Sequence, residues 1–321
     1  MSRFYDELPD ALAENQPFAL GILAGIKGSS PQKKGSKALF FADGRIIGTL
    51  GGGCLEAEIQ DRARQALLSR TPSTFELVLD HDFGWDDGLI CGGSVSGLIL
   101  PRAAEAAPIW LKLAQCQEPL TWGVRDDFSI GWVDDSTSAW RYQETVRPPC
   151  AMWIAGAGHV AQAVTPWAAQ LDFAVTVFDD RAALANDRRF PAGTHFRVSG
   201  WDDLMREPMP ARPVFGLIAT RGHQHDALVL RHWIKRPFTF LGMIGSRRKA
   251  RLIFDQLLED RIASQDELMK VSCPVGVAIH AQSVPEIAVS VLAQYVQKRA
   301  ELVYENGGSS IGVQPVRLGQ F

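Results

Sequence analysis

The 321-residue sequence predicts an α/β protein, an N-terminal mixed α/β domain followed by a doubly wound parallel sheet, and three observations carry that prediction. First, the apolar run Met152-Trp153-Ile154 ends in Gly156-Ala157-Gly158, and an amphipathic segment follows through Val160, Ala163 and Val164. A second apolar run, 174–178, then stops at Asp179 and Asp180. Strand, glycine turn, helix, strand and acid, with the acid about 20 residues past the glycines, open a dinucleotide-type βαβ unit. Second, strand-like and helix-like runs go on alternating beyond it, as in a parallel sheet covered on both faces. Third, the length suits two domains, and Arg147-Pro148-Pro149 is a natural linker between 1–147 and 148–321.

The first domain starts with a short helix near 4–15 and a strand over 18–26, broken by the turn cluster Gly28-Ser29-Ser30-Pro31. Residues 37–42 and 45–50 form a hairpin joined at Asp43-Gly44. Gly51-Gly52-Gly53-Cys54-Leu55-Glu56 then opens a helix with apolar positions at Ile59, Ala63, Ala66 and Leu67. Cys91, followed by Gly92 and Gly93, precedes a strand over 95–100. Residues 103–116 read as a helix, 119–124 with 128–133 as a hairpin, and 134–138 as loop.

The second domain is Rossmann-like. Gly156 permits the tight turn, Gly158 has no Cβ to hold a phosphate off the backbone, and Ala161 is small enough for close helix packing. Unpaired N–H groups at the helix start then face an anion. Strands follow at 195–198, 214–219 and 238–243, with helices at 228–234 and after Gly245. The last helix starts at Ser283-Val284-Pro285-Glu286 and carries a stripe of Ile287, Val291, Leu292, Tyr295 and Val296. A glycine-rich tail follows from 307. Ligands of open α/β sheets lie off the carboxyl ends of the strands, where Gly156, Gly158, Asp179, Arg221, Ser246, Arg247 and Arg248 all fall. Arginines in a first helical turn oppose the helix dipole unless an anion sits there. His223, His225 and Asp226 match no standard zinc spacing and read as satisfied polar loop residues.

A net charge of −3 argues against a nucleic-acid or membrane-surface protein. The polar, acidic N-terminus carries no signal-peptide pattern, and no apolar run is long enough to span a bilayer. Five scattered cysteines are expected to be reduced, in a cytosolic protein. Cys54 lies at a helix N-terminus, which favours its thiolate, behind three glycines that bare the backbone. With Cys91 it presents two sulfurs on glycine loops, and Lys33, Lys34 and Lys37 add a basic patch for an anionic ligand. A small cysteine buried behind a structural turn is the plainer reading of either one.

The motifs G-S-S-P, D-G-R-I-I-G-T-L-G-G-G-C-L-E, C-G-G, G-A-G-H-V-A, F-D-D-R, T-R-G-H, G-M-I-G-S-R-R-K and P-E-I-A-V-S occur together over residues 19–100 and 150–300. In that order they resemble the xanthine dehydrogenase accessory protein family, the XdhC/CoxI molybdenum cofactor insertion chaperones. The resemblance implies a cytoplasmic chaperone, rather than a catalyst, that binds the molybdenum cofactor (molybdopterin). Such a chaperone delivers the cofactor, in sulfurated form, to xanthine dehydrogenase or a related molybdenum hydroxylase, working beside a cysteine desulfurase. Glycine loops and helix starts suit the cofactor's phosphate, and the residues expected to bind the cofactor are Gly51, Gly52, Gly53, Gly92, Gly156, Gly158, Asp179, Arg221, Ser246, Arg247 and Arg248. Soft thiolates at Cys54 and Cys91 suit molybdenum or a transferred sulfur. One loop departs from the family pattern, with Ala278 and His280 where an acid and a glycine are usual, and Pro285 one position late. Two alternatives stand beside this reading. One is an NAD(P)-dependent oxidoreductase, with Asp179 on a ribose hydroxyl and NAD in the second domain; the other is a pterin-directed sulfur or nucleotidyl transferase. A symmetric homodimer is the default assembly.

Overall fold

The computed structural model describes residues 3–28, 30, 32–79, 93–133 and 139–305. Cys91, Gly92, the 134–138 loop and the tail from 307 lie outside the described residues. The chain divides into two compact units, Met1–Pro148 and Pro149–Phe321.

In the first unit, helix α1 (Arg3–Ala13) leads into strand β1 (Phe18–Lys27), the hairpin β2 (Lys37–Phe41) and β3 (Ile46–Gly48), and helix α2 (Gly53–Ser69). Strands β4 (Ser73–Leu79) and β5 (Gly93–Leu100) complete an antiparallel sheet ordered β3-β2-β1-β5-β4. Side chains of a strand alternate between faces, and β1 is apolar on both. Phe18, Leu20 and Ile22 enter one core with Leu39, Phe41, Leu98 and Leu100; Ala19 and Leu23 enter the other with Ile59 and Ala63 of α2. A 3-10 turn (Ala103–Ala106), helix α3 (Ala107–Ala114) and a small antiparallel sheet pack with the first core. That sheet is ordered β7-β6-β8, from β6 (Leu120–Arg125), β7 (Ile130–Trp132) and β8 (Trp140–Val146). Strands β4 and β8 escaped the sequence reading because each offers only two buried positions, and in β8 polar residues outnumber apolar ones. In the former only Phe75 and Leu77 are buried, in the latter only Tyr142 and Val146.

Lys37 leaves the basic patch expected with Lys33 and Lys34. It is buried in β2, with Nζ 2.5 Å from Glu144 Oε2 on β8, and it donates to the Gly35 carbonyl at 2.6 Å. The same Glu144 oxygen accepts the hydroxyls of Tyr5 at 2.7 Å and Tyr142 at 2.9 Å. Burial pulls the Lys37 ammonium below its ordinary pKa, with Glu144 acting against that shift. The network ties the small sheet to the large one.

The second unit is a parallel sheet of β9 (Cys150–Ala155), β10 (Phe173–Asp179), β11 (His195–Val198), β12 (Val214–Ile218), β13 (Phe240–Met243) and β14 (Val271–Ser272). Its order is β11-β10-β9-β12-β13-β14, so the winding reverses between β9 and β12. Met152 and Ile154 face helices α4 (His159–Gln170) and α9 (Val284–Glu305), through Val164, Ala168, Val291 and Tyr295. Trp153 and Ala155 face the opposite layer: α5 (Trp201–Leu204), α6 (His223–Trp233) and α7 (Arg247–Glu259). Helix α6 starts at His223 rather than at Leu228, which puts His223, His225 and Asp226 in its first turn instead of a loop. Its early start follows from Gly222 as N-cap and from the Asp226 carboxylate reaching back to Thr220. The short elements α8 (Gln265–Met269) and β14 carry too little periodicity to be read from sequence.

Candidate functional site

The loops leaving β9 and β12 meet where the strand order reverses. Gly156 has φ 105°, and a Cβ on it would stand 2.3 Å from the Ala219 carbonyl oxygen, so only glycine fits. Two helices begin here, α4 behind Gly158 and α6 behind Gly222, and neither N-cap makes a side-chain hydrogen bond. Their first helical bonds run from Gln162 N–H to the Gly158 carbonyl and from Asp226 N–H to the Gly222 carbonyl. The N–H groups ahead of those have no acceptor within the helix. A Cβ on Gly158 or Gly222 would meet nothing within 4 Å, so both helix ends open onto free space. Helices farther along the sheet differ: Ser246 caps α7, Ser264 caps α8, and Ser283 and Glu286 bond each other's backbone at the start of α9. Adjacent uncapped helix ends at the point of reversal form an anion-binding arrangement.

Asp179 does not face that space. Its side chain is fully buried at the end of β10, where Oδ2 accepts the Ala157 N–H at 2.7 Å and Arg181 Nη2 at 2.9 Å. Oδ1 accepts the Arg181 N–H at 2.9 Å and its Nε at 2.8 Å. Burial acts to raise the pKa of this carboxyl, but the guanidinium and the two backbone N–H groups together hold it below its ordinary value. The carboxylate braces the glycine turn from beneath, with no oxygen left for a ribose. Arg189 holds the same turn from its other side, donating to the Ala157 carbonyl at 3.4 Å and to Gln162 Oε1 at 2.7 Å. Sequence reasoning passed over both arginines; the F-D-D-R signature was the available signal for Arg181, and Arg189 had none.

Arg221 and Asp180 meet across the turn, Nη2 to Oδ2 at 2.8 Å. The same Arg221 nitrogen lies 3.1 Å from His225 Nε2, and the His225 ring stands against Trp201 with centroids 5.9 Å apart. Behind them, the buried Asp226 accepts the Thr220 hydroxyl at 2.6 Å and N–H at 3.1 Å, and pairs with Lys249. Ser246 commits its hydroxyl to the Lys249 N–H at 3.2 Å, while Arg247 and Arg248 are exposed in the first turn of α7. Cys273 stands beside this cluster, where burial pushes its thiol up to about 11 despite the Lys249 charge. Among the described residues, no group of three or more His, Cys, Asp or Glu side chains is placed to hold a metal ion.

The cysteine loop of the first unit has its own geometry. Gly51, Gly52 and Gly53 take φ values of 125°, 70° and 57° in succession, a path side chains resist. A Cβ on Gly52 or Gly53 would nevertheless meet nothing within 4 Å; conformation, not crowding, requires the glycines. Glu56 anchors the loop, its Oε2 accepting the Leu50 N–H at 2.7 Å and the Thr49 hydroxyl at 2.8 Å. Cys54 follows in the first turn of α2, half-buried and outside any disulfide. In the second unit, the divergent loop is pinned to α9: Gly276 N–H donates to Gln294 at 2.7 Å and the Ser290 hydroxyl to the Val277 carbonyl at 2.6 Å. His280 there keeps a left-handed backbone, φ 56°, at the position where the family resemblance expects glycine.

Among the described residues, no helix is long and apolar enough to cross a membrane. The family model of the XdhC Rossmann domain matches residues 152–295, and that of the XdhC and CoxI family matches 11–78. The uncharacterized protein YqeB of Escherichia coli (strain K12) is 30% identical over 285 residues, which cover 88% of this chain; the chain spans 44% of that protein, less than half its length. A probable xanthine dehydrogenase subunit from Bacillus subtilis (strain 168) is 24% identical, over 93% of this chain and 98% of its own. The molybdenum cofactor insertion chaperone PaoD of E. coli (strain K12) is 26% identical, over 90% of this chain and 86% of its own. A crystal structure described as a xanthine dehydrogenase from Bacillus halodurans shares the fold, with a TM-score of 0.79 over 92% of this chain and 96% of that one, at 24% identity. With both family models matching in order, and the sheet of the second unit wound as the Rossmann assignment requires, the chain is a member of the XdhC and CoxI family.

Proposed function

We propose that this protein is a molybdenum cofactor-binding chaperone that protects the cofactor and hands it, in sulfurated form, to a molybdenum hydroxylase of the xanthine dehydrogenase kind. The observation that carries the reading is the pair of uncapped helix ends behind Gly158 and Gly222, with Arg221, Arg247 and Arg248 on the same edge of the sheet. They offer the cofactor's phosphate backbone N–H groups, partial positive charge and exposed guanidinium groups. The similarity to a protein named as a cofactor insertion chaperone supports the same cargo. In the first unit, Cys54 on its glycine loop is assigned to the molybdenum or to the sulfur destined for it, with a cysteine desulfurase as the sulfur donor. Cys91 keeps the same assignment. A cytoplasmic homodimer completes the proposal.

Asp179 weighs against the oxidoreductase alternative, because the acid that would take a ribose hydroxyl is enclosed by Ala157 and Arg181. The test is purification from molybdate-grown cells, followed by metal analysis and identification of the released pterin. Gly158 has φ −78° with open space at its Cβ position, so Gly158→Ala is expected to fold normally while its methyl displaces the phosphate. Wild type is expected to carry molybdenum and pterin, Gly158→Ala and Cys54→Ala much less of both, at unchanged melting temperature. Cofactor content equal to wild type in Gly158→Ala would end the assignment of the phosphate to this turn.

A further inference from the structure

Resting on the anion site just described, we infer that Asp180 is an internal competitor for it, standing where the ligand's phosphate oxygen belongs on Arg221. The strand order gives the geometry. Asp180 follows β10 and Arg221 follows β12, with β9 and its glycine turn between them. Two strand spacings separate their backbones by about 10 Å. Their 2.8 Å ion pair therefore bridges across the end of β9, where the glycine turn leaves the sheet. Arg221 is held at its tip by Asp180 and by His225, and its side chain is still 43% exposed.

The pair is lopsided. Asp180 Oδ2 has the Arg221 contact, but Oδ1 is buried without a hydrogen-bond partner. Arg181 Nε lies 3.6 Å from Oδ1, beyond hydrogen-bonding range, and is committed to Asp179. A carboxylate with one oxygen orphaned gives up its remaining contact at low cost, since water satisfies both oxygens on release. Arg221 then turns from carboxylate to phosphate with its charge paired throughout. The device selects for a phosphomonoester or diphosphate anion, which matches a guanidinium in charge and geometry. It selects against a ribose diol, which has no charge with which to displace Asp180. It also lowers the affinity of the resting site and returns the arginine to its partner when the cargo leaves.

The test titrates inorganic pyrophosphate into the full-length chain by calorimetry at low ionic strength, for wild type, Asp180→Asn, Arg221→Ala and the double variant. Asp180→Asn is expected to bind about three- to fivefold more tightly, the worth of a part-exposed ion pair. Arg221→Ala is expected to bind more weakly, and Asp180→Asn to add nothing in its background. If Asp180 merely repels anions, the gain persists when Arg221 is absent, and the double-mutant cycle separates the two cases. An equal gain in both backgrounds, or no gain in Asp180→Asn, overturns the competitor while leaving the anion site standing. No heat from pyrophosphate in any of the four proteins removes the anion site and the competitor with it.

Discussion

Replacing Asp179 by Asn tests whether the glycine turn is braced from within. Each oxygen of that carboxylate accepts two hydrogen bonds, Oδ2 from Ala157 N–H and Arg181 Nη2, and Oδ1 from the N–H and Nε of Arg181. An asparagine keeps the shape but turns one oxygen into an NH2 group. Whichever way the amide flips, two donors face a donor. The Arg181 guanidinium, with its side chain 33% exposed, finds water, whereas a backbone N–H at this depth does not. Hydrogen bonds to a charged group contribute about 1.5–3 kcal/mol each, so the expected loss is about 2–4 kcal/mol. For a unit of this size that lowers the melting temperature by roughly 5–15 °C, read by tryptophan emission. The pH dependence carries a sign. A carboxyl with a folded pKa below its unfolded value of about 3.9 stabilises above that value, and the contribution is lost as pH falls through the folded pKa. The gap between wild type and variant is therefore constant from neutral pH to about 5 and closes in stronger acid. A variant melting within about 1 °C of wild type at neutral pH, or a gap that widens in acid, would refute the brace.

Three further outcomes follow from the same structure. Gly156→Ala adds a methyl against the Ala219 carbonyl at φ 105° and is expected to cost about 2–4 kcal/mol in urea titration, whereas Gly158→Ala costs almost nothing. Glu144→Gln leaves the Lys37 charge buried without its counter-ion; a loss of about 3–5 kcal/mol is expected, confined to the melting of the first unit, where Asp179→Asn has no effect. Alkylation of Cys273 is expected to be slow at pH 8, where a thiol of pKa about 11 is about one part in a thousand ionised, and to rise about tenfold per pH unit. Peptide mass mapping of iodoacetamide-treated protein reads it, and rapid labelling at pH 8 would contradict the burial argument.

Periodicity and glycine placement made the second unit legible from sequence. Its strands alternate with helices over short loops, so Gly156, Gly158 and the apolar runs around them announced the sheet, its crest and the ends of β9, β10 and β12. What remained hidden depends on contacts distant in the chain. The difference between Asp179 and Asp180 is invisible in the motif, because adjacent residues at the end of a strand point opposite ways and only packing decides which is enclosed. Likewise, Lys37 read as surface until Glu144, which lies on a strand of mostly polar residues, supplied its counter-ion. The start of α6 at His223 was hidden because its first turn is polar and looks like loop. Asp226, far from idle there, is the buried acceptor for both Thr220 and Lys249.

The distribution of charge along the crest fits the proposed role of a carrier better than that of a catalyst. Full charges nearest the turn are already matched inside the protein: Asp179 with Arg181, Asp226 with Lys249, and Asp180 with Arg221. On the proposed reading, an arriving phosphate meets the partial charges of two helix ends, the exposed arginines of α7 and Arg221 once Asp180 yields it, and each helix end contributes about 0.3–1 kcal/mol when exposed to solvent. Binding built from several modest contributions is specific in geometry yet quickly reversed, because no single buried charge must be stranded when the ligand departs. A catalytic site that stabilises developing charge needs the opposite, a preorganised and desolvated full charge aimed at the reacting atom. On this edge of the sheet the charges that are buried are the ones already neutralised, and those that remain exposed are free to let go.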